Sequence, residues 1–197
     1  MNIALDRKTP ESAFRQYLLD TALQLFARHG FHAVSLRQLG QAVGIQAGSL
    51  YAHIESKDAL LQEIIEDGYE RLLQSALLRL RHVPEQAGIA TFLRHHLSFQ
   101  HANPQWYGLA QSEVRYLDDE AQQEVRTWRD DYIALFERLL QPRSGKRPVN
   151  ARTARVARQA LRLLDGPPSG DPALLDDCIE DLERLISSRL RAVNCPG

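Results

Sequence analysis

The stretch LRQLGQAVGIQAGSL, residues 36–50, decides the fold of the N-terminal region. Leu39, Val43, Ile45 and Leu50 recur at the spacing of two short helices that share a buried face. Gly40 leaves the first helix thin where the second crosses it, and Gly44 supplies the positive φ of the turn, a conformation that other residues resist. An ordinary amphipathic pair needs neither glycine, so the segment reads as a helix-turn-helix. Ser35 and Gln38 have the spacing of a capping box, which opens the first helix at Leu36 and lets it run only to Val43. The second is predicted from Gln46 to about His53.

Outward from this core, apolar residues recur at intervals of three and four, and no segment shows the sustained alternation of a half-buried strand. The fold class is therefore all-α. A first helix is predicted from Ser12 to His29, with Phe14, Leu18, Ala22, Leu25 and Phe26 on one stripe and Gly30 ending it. Ser56 before Lys57 and Asp58 opens a long helix that ends near Pro84. Glu85 to Asn103, Pro104 to Leu117 and Asp118 to Gln141 read as three more, with Pro104 in a tolerated first-turn position. PRSGKRP, residues 142–148, is a loop, and Val149 to Leu164 and Pro172 to Val193 form a final pair separated by DGPPSGD. The reading divides the chain into residues 1–61, an N-terminal arm with the helix-turn-helix, and residues 62–197, a larger ligand-binding and dimerisation domain.

With 197 residues and 44% apolar content the chain can bury a sizeable core. Charges interrupt every run that could serve as a signal peptide or membrane span, which implies a soluble, cytoplasmic protein. The two cysteines, Cys178 and Cys195, have neither metal-ligand nor CxxC spacing and read as reduced thiols. A net charge of −1 is not the footprint of a nucleic-acid binder, yet from Arg28 to Lys57 three basic residues face one acid, a local net of +2.

The chemistry of the second helix points to DNA. Gln46, Ala47, Gly48 and Ser49 open it with small or hydrogen-bonding groups, as a helix entering the major groove requires. Tyr51, His53 and Lys57 follow with groups that can meet phosphate oxygens. Taken singly, Gln46, Ser49 and Lys57 would serve as well to solvate an exposed helix pair.

From Val34 to Leu61 the sequence VSLRQLGQAVGIQAGSLYAHIESKDALL resembles the head of the tetracycline-repressor (TetR) family. Ser35, Arg37, Gly44, Leu50, Tyr51, His53, Lys57 and Leu60 match its pattern, and Ile54 stands where Phe is frequent but keeps the position apolar. The resemblance implies that Ser35, Tyr51, His53 and Lys57 hold the phosphate backbone while Arg37, Gln46, Ala47 and Ser49 face base edges. Their chemistry agrees, since arginine forks onto guanine, glutamine onto adenine, and an alanine methyl packs on thymine.

A short recognition helix covers few base pairs, so such proteins usually bind paired half-sites of an operator as homodimers. In the last two helices, Ala157 and Leu164, with Ile179, Leu182 and Ile186, offer apolar stripes for that contact, and the resemblance implies a four-helix bundle between protomers. The same stripes would serve equally as an intrachain core. The resemblance also places a small-molecule pocket between residues 85 and 141, where Phe92, His96, Phe99, Trp106, Tyr107, Trp128 and Tyr132 are the candidate lining, although aromatics at helical spacing are more often core. The aromatics and scattered arginines faintly resemble those of relatives that sense acyl-CoA or fatty acids, so an unidentified hydrophobic or acyl-CoA-like effector is the expected partner.

No cofactor is implied. His95, His96 and His101 lack an acidic or thiol partner at ligand spacing, so no metal is expected. An enzyme built on His95, His96 or Glu113 would need a nucleophile with a paired base or a glycine-rich phosphate loop, and neither is present. A non-specific architectural DNA binder would be more basic overall. The expected function is that of a sequence-specific transcriptional regulator, a repressor released from a palindromic operator when a small molecule binds the body. The helix from Ser56 to about Val83 is expected to couple the two sites.

Overall fold

The structure is a computed structural model and describes residues 10–141, 151–165 and 172–191. All regular structure among these residues is helical. They form two compact units, one of the described residues up to Gly68 together with Gln105–Val125, the other of Tyr69–Pro104 with the described residues from Arg126 onward.

In the first unit, α1 (Pro10–His29) buries Leu18, Leu19, Ala22 and Phe26 and stops at Gly30, whose φ of 83° lets its N–H return to the Phe26 carbonyl at 2.9 Å. Phe31 then turns inward and meets Phe26 edge-on, centroids 5.2 Å apart. Ser35 caps α2 (Leu36–Val43) with the reciprocal bonds its spacing predicts: Gln38 N–H donates to Ser35 Oγ at 3.2 Å, and Ser35 N–H to Gln38 Oε1 at 2.8 Å. The second helix, α3 (Ala47–Leu50), is shorter than predicted. After Leu50 the chain tightens into a turn in which His53 N–H bonds the Leu50 carbonyl at 2.7 Å, and Ile54 is carried into the core. Ser56 Oγ accepts the Ala59 N–H at 2.9 Å and opens α4 (Lys57–Leu80), whose residues contribute to both units.

Pro104–Leu117 is not one helix. It is α6 (Pro104–Ser112) followed by a 3-10 turn, Val114–Tyr116, after which Asp118 caps α7 (Asp119–Leu139) through the Ala121 N–H at 2.8 Å. Trp106 of α6 is fully buried, donating its indole N–H to the Ile65 carbonyl at 3.3 Å, and the Tyr116 ring meets His32 at 4.1 Å. These contacts make residues 105–125 part of the unit that carries the helix-turn-helix.

In the second unit, α5 (Gly88–Ala102), preceded by a 3-10 turn at Glu85–Ala87, is buried around much of its girth. Its adjacent histidines point to different neighbours: His95 reaches the Leu72 carbonyl at 3.2 Å and Ser75 Oγ at 3.1 Å on α4, while His96 Nδ1 lies 3.2 Å from the Tyr132 hydroxyl on α7. Burial lowers the pKa of both imidazoles, and that of His96 falls to about 4. Phe92 stacks on Tyr132 and Phe136 at 4.9 and 4.5 Å. The final pair, α8 (Ala151–Leu164) and α9 (Pro172–Arg191), closes the unit. Here the residues expected at a dimer contact, Ala157, Leu164, Ile179, Leu182 and Ile186, are all buried inside the protomer. These side chains lie in the core of the unit. The loop expected at 142–148, most of DGPPSGD, and Cys195 lie outside the described residues.

Candidate nucleic-acid interface

The crossing of α2 and α3 is tight because of two glycines. A β-carbon on Gly40 would lie 2.8 Å from the Ile45 carbonyl oxygen, and Gly44 adopts a φ of 80°. Any side chain at the first position would push α3 away, and a residue with a β-carbon at the second would be strained. Leu39, Val43 and Leu50 are buried beneath the crossing.

Around it, Arg37, Gln46 and Ser49 are exposed and Ala47 is half-buried. Tyr51 has 61% of its surface open, a large value for an aromatic side chain. Ser35 is exposed, but its hydroxyl is already engaged as the cap of α2. His53 is half-buried with its ring 4.7 Å from that of Phe14, so part of its surface holds the turn to α1.

Lys57 is engaged within the chain. Its Nζ donates to the carbonyls of Phe31 and Val34 at 3.1 and 3.0 Å and stands 4.3 Å from the centre of the Phe31 ring. The ammonium therefore satisfies the carbonyls that precede the Ser35 cap and fixes the start of α2 from within.

Two residues here carry no motif of their own. Arg15 of α1 pairs with Glu63 of α4, with Nε 3.1 Å from Oε1, and also donates to the His53 carbonyl behind α3. Its place among the apolar residues of α1 is the only sequence signal. Gly68 interrupts the pattern of α4, and a β-carbon there would overlap the Trp106 indole.

The pocket candidates fall in both units. Phe92, His96 and Tyr132 pack together in the second unit, and Phe99 touches His95 at 6.0 Å. Trp128, half-buried, belongs to that unit as well. Trp106 and Tyr107 belong to the first unit, where the Trp106 indole is a core anchor on Gly68.

A tight helix crossing with exposed polar side chains around its second helix, carried by an otherwise helical chain, is the arrangement of a helix-turn-helix. Residues 18–64 match the bacterial regulatory proteins of the tetR family. The N-terminal region is thus similar to the heads of that family. It is similar to the HTH-type transcriptional repressor KstR2 of Rhodococcus jostii, 42% identical over 60 residues, which is 30% of this chain and 29% of that protein. It is also similar to the HTH-type transcriptional regulator UidR of Escherichia coli, 36% identical over 66 residues and 34% of each chain. The chain thus matches only about a third of the length of these relatives. Over 89% of this chain and 97% of the other, the fold resembles that of AibR, solved in complex with isovaleryl coenzyme A and operator DNA, with a TM-score of 0.69 and 19% identity. At that identity the fold is what is shared. No helix among the described residues is long and apolar enough to cross a membrane.

Proposed function

We propose that the chain is a sequence-specific transcriptional regulator, a cytoplasmic repressor that binds a palindromic operator as a homodimer and is released when a small molecule occupies its helical body. The observation that carries this reading is the crossing enforced by Gly40 and Gly44, which presents Gln46, Ser49 and Tyr51 to solvent. Arg37, Gln46, Ala47 and Ser49 read base edges, Ser35, Tyr51 and His53 meet phosphates, and Lys57 acts from inside by holding α2. By role, residues 1–61 bind DNA and residues 62–197 bind effector and partner, with α4 carrying the coupling between them.

The effector is a hydrophobic or acyl-CoA-like molecule. The aromatic cluster of Phe92, Tyr132 and Phe136, with His96 against Tyr132, supports an apolar ligand, and AibR, a protein of the same fold, was solved with an acyl-CoA. Selection of binding sites from random duplex DNA by the purified protein tests the reading. Enrichment of a two-fold symmetric site is expected, and recovery of unenriched sequences would defeat it.

A further inference from the structure

The groups assigned to phosphates above, Tyr51 and His53, stand on the turn between α3 and α4, and α3 spans only Ala47–Leu50. A single helical turn does not hold itself, so its placement comes from the contacts its neighbours make. Leu50 and Ile54 anchor the turn to the core on either side, while Tyr51 and Ala52 between them are exposed. Two consecutive residues of α1 grip the turn at His53. The Phe14 ring lies 4.7 Å from the His53 ring, and Arg15 Nη1 donates to the His53 carbonyl.

Arg15 is in turn oriented by Glu63 of α4. Its Nε lies 3.1 Å from Oε1 and its Nη2 donates to Oε2, a two-pronged pair that fixes the plane of the guanidinium. Only 33% and 38% of the two side chains is open to solvent, so the pair is screened less than one on the open surface. With Nε and Nη2 on the carboxylate and Nη1 on the His53 carbonyl, all three guanidinium nitrogens are engaged. A lysine, with one nitrogen on a flexible stem, cannot reproduce that planar fork. The pair thus ties α1, α4 and the turn between α3 and α4 together within the first unit.

We propose that Arg15, oriented by Glu63, is a positioning residue for DNA recognition: through the His53 carbonyl it fixes the turn that presents Tyr51 and His53 to phosphates. It makes no bond to DNA itself, because its nitrogens are spent inside the protein. Its effect therefore rests on the phosphate contacts assigned to Tyr51 and His53 above.

Glu63→Gln separates positioning from charge, because the two act in opposite directions. Removing an acid from the DNA-binding unit strengthens binding by charge alone, whereas loss of the fork should weaken it. Full-length chains are titrated against the two-fold symmetric duplex recovered by selection, each well below its melting midpoint. Glu63→Gln, Arg15→Lys and Arg15→Gln should each bind about tenfold more weakly, with the salt slope unchanged. In the Arg15→Lys chain, Tyr51→Phe should cost little further, since the turn it stands on is already misplaced. Tighter binding by Glu63→Gln, full affinity in Arg15→Lys, or additive losses with Tyr51→Phe would overturn the positioning role. A salt slope reduced by about one in Arg15→Gln would overturn it too, by placing the guanidinium on a phosphate. If Tyr51→Phe alone left a specific complex unweakened, the phosphate assignment would fall instead, and a chain that selects no duplex would remove the DNA-binding reading itself.

Discussion

Gly68 and Trp106 fit as notch and ridge: a β-carbon on the glycine would lie 1.8 Å from the indole nitrogen. The tryptophan is buried there and donates to the Ile65 carbonyl one turn away on α4. A glycine inside a long helix costs about 1 kcal/mol relative to alanine, and here the close approach of the indole accounts for its presence. Gly68→Ala should therefore destabilise the protein by about 1–3 kcal/mol despite the gain in helix propensity. Urea unfolding would read this as a lower midpoint, and an unchanged or higher midpoint would show that the indole moves aside freely.

Lys57→Ala separates a clamp from a phosphate contact. Loss of two hydrogen bonds to partly buried carbonyls and of the contact with the Phe31 ring should cost about 1–3 kcal/mol of stability. DNA affinity should fall through misplacement of α2, with the salt dependence of binding preserved. A salt slope reduced by about one, with stability intact, would return Lys57 to the phosphate backbone.

Base readers and positioners should part on sequence preference. Arg37→Ala or Gln46→Ala is expected to cost about 1–3 kcal/mol on the preferred site and to relax discrimination at one base pair in each half-site. Tyr51→Phe should weaken every site alike. Competition binding with single-base operator variants measures both, and uniform losses for Arg37→Ala and Gln46→Ala would reverse the assignment.

Acid should weaken the second unit through His96. Burial holds its folded pKa near 4, below the 6.5 of an unperturbed histidine. Between these values the unfolded chain takes up a proton that the folded chain refuses, so this contribution is complete above about pH 6.5 and is lost as the pH falls toward 4. The full loss is about 3 kcal/mol at 1.36 kcal/mol per unit. In His96→Gln that proton is absent, so its stability gap from the unaltered chain should narrow over this range. A constant gap in denaturant melts at several pH values would contradict the assignment. Burial lowers His95 in the same direction, but that residue is common to both chains.

Sequence carried the helix-turn-helix because its determinants are local. The capping box spans four residues, the turn needs a positive φ at one glycine, and the thin crossing needs another glycine four residues earlier. Helix positions outside α3 and α6 followed from apolar period and caps for the same reason. The shortening of α3 depended on Ile54 entering the core, and the break in α6 on residues 114–116 packing beside the His32 loop, neither visible from local spacing.

What the sequence by itself determined was the all-α class, the crossing of residues 36–50 and the identity of its exposed polar residues. The tertiary structure decided which groups were already spent. It turned Lys57 toward carbonyls 23 and 26 residues away, engaged Arg15 with a partner 48 residues on, and set Trp106 against Gly68. It also buried the apolar stripes of α8 and α9 within their own unit. An amphipathic helix records that it has a face to bury, and only the packed neighbours determine whether its own chain or a second copy buries it.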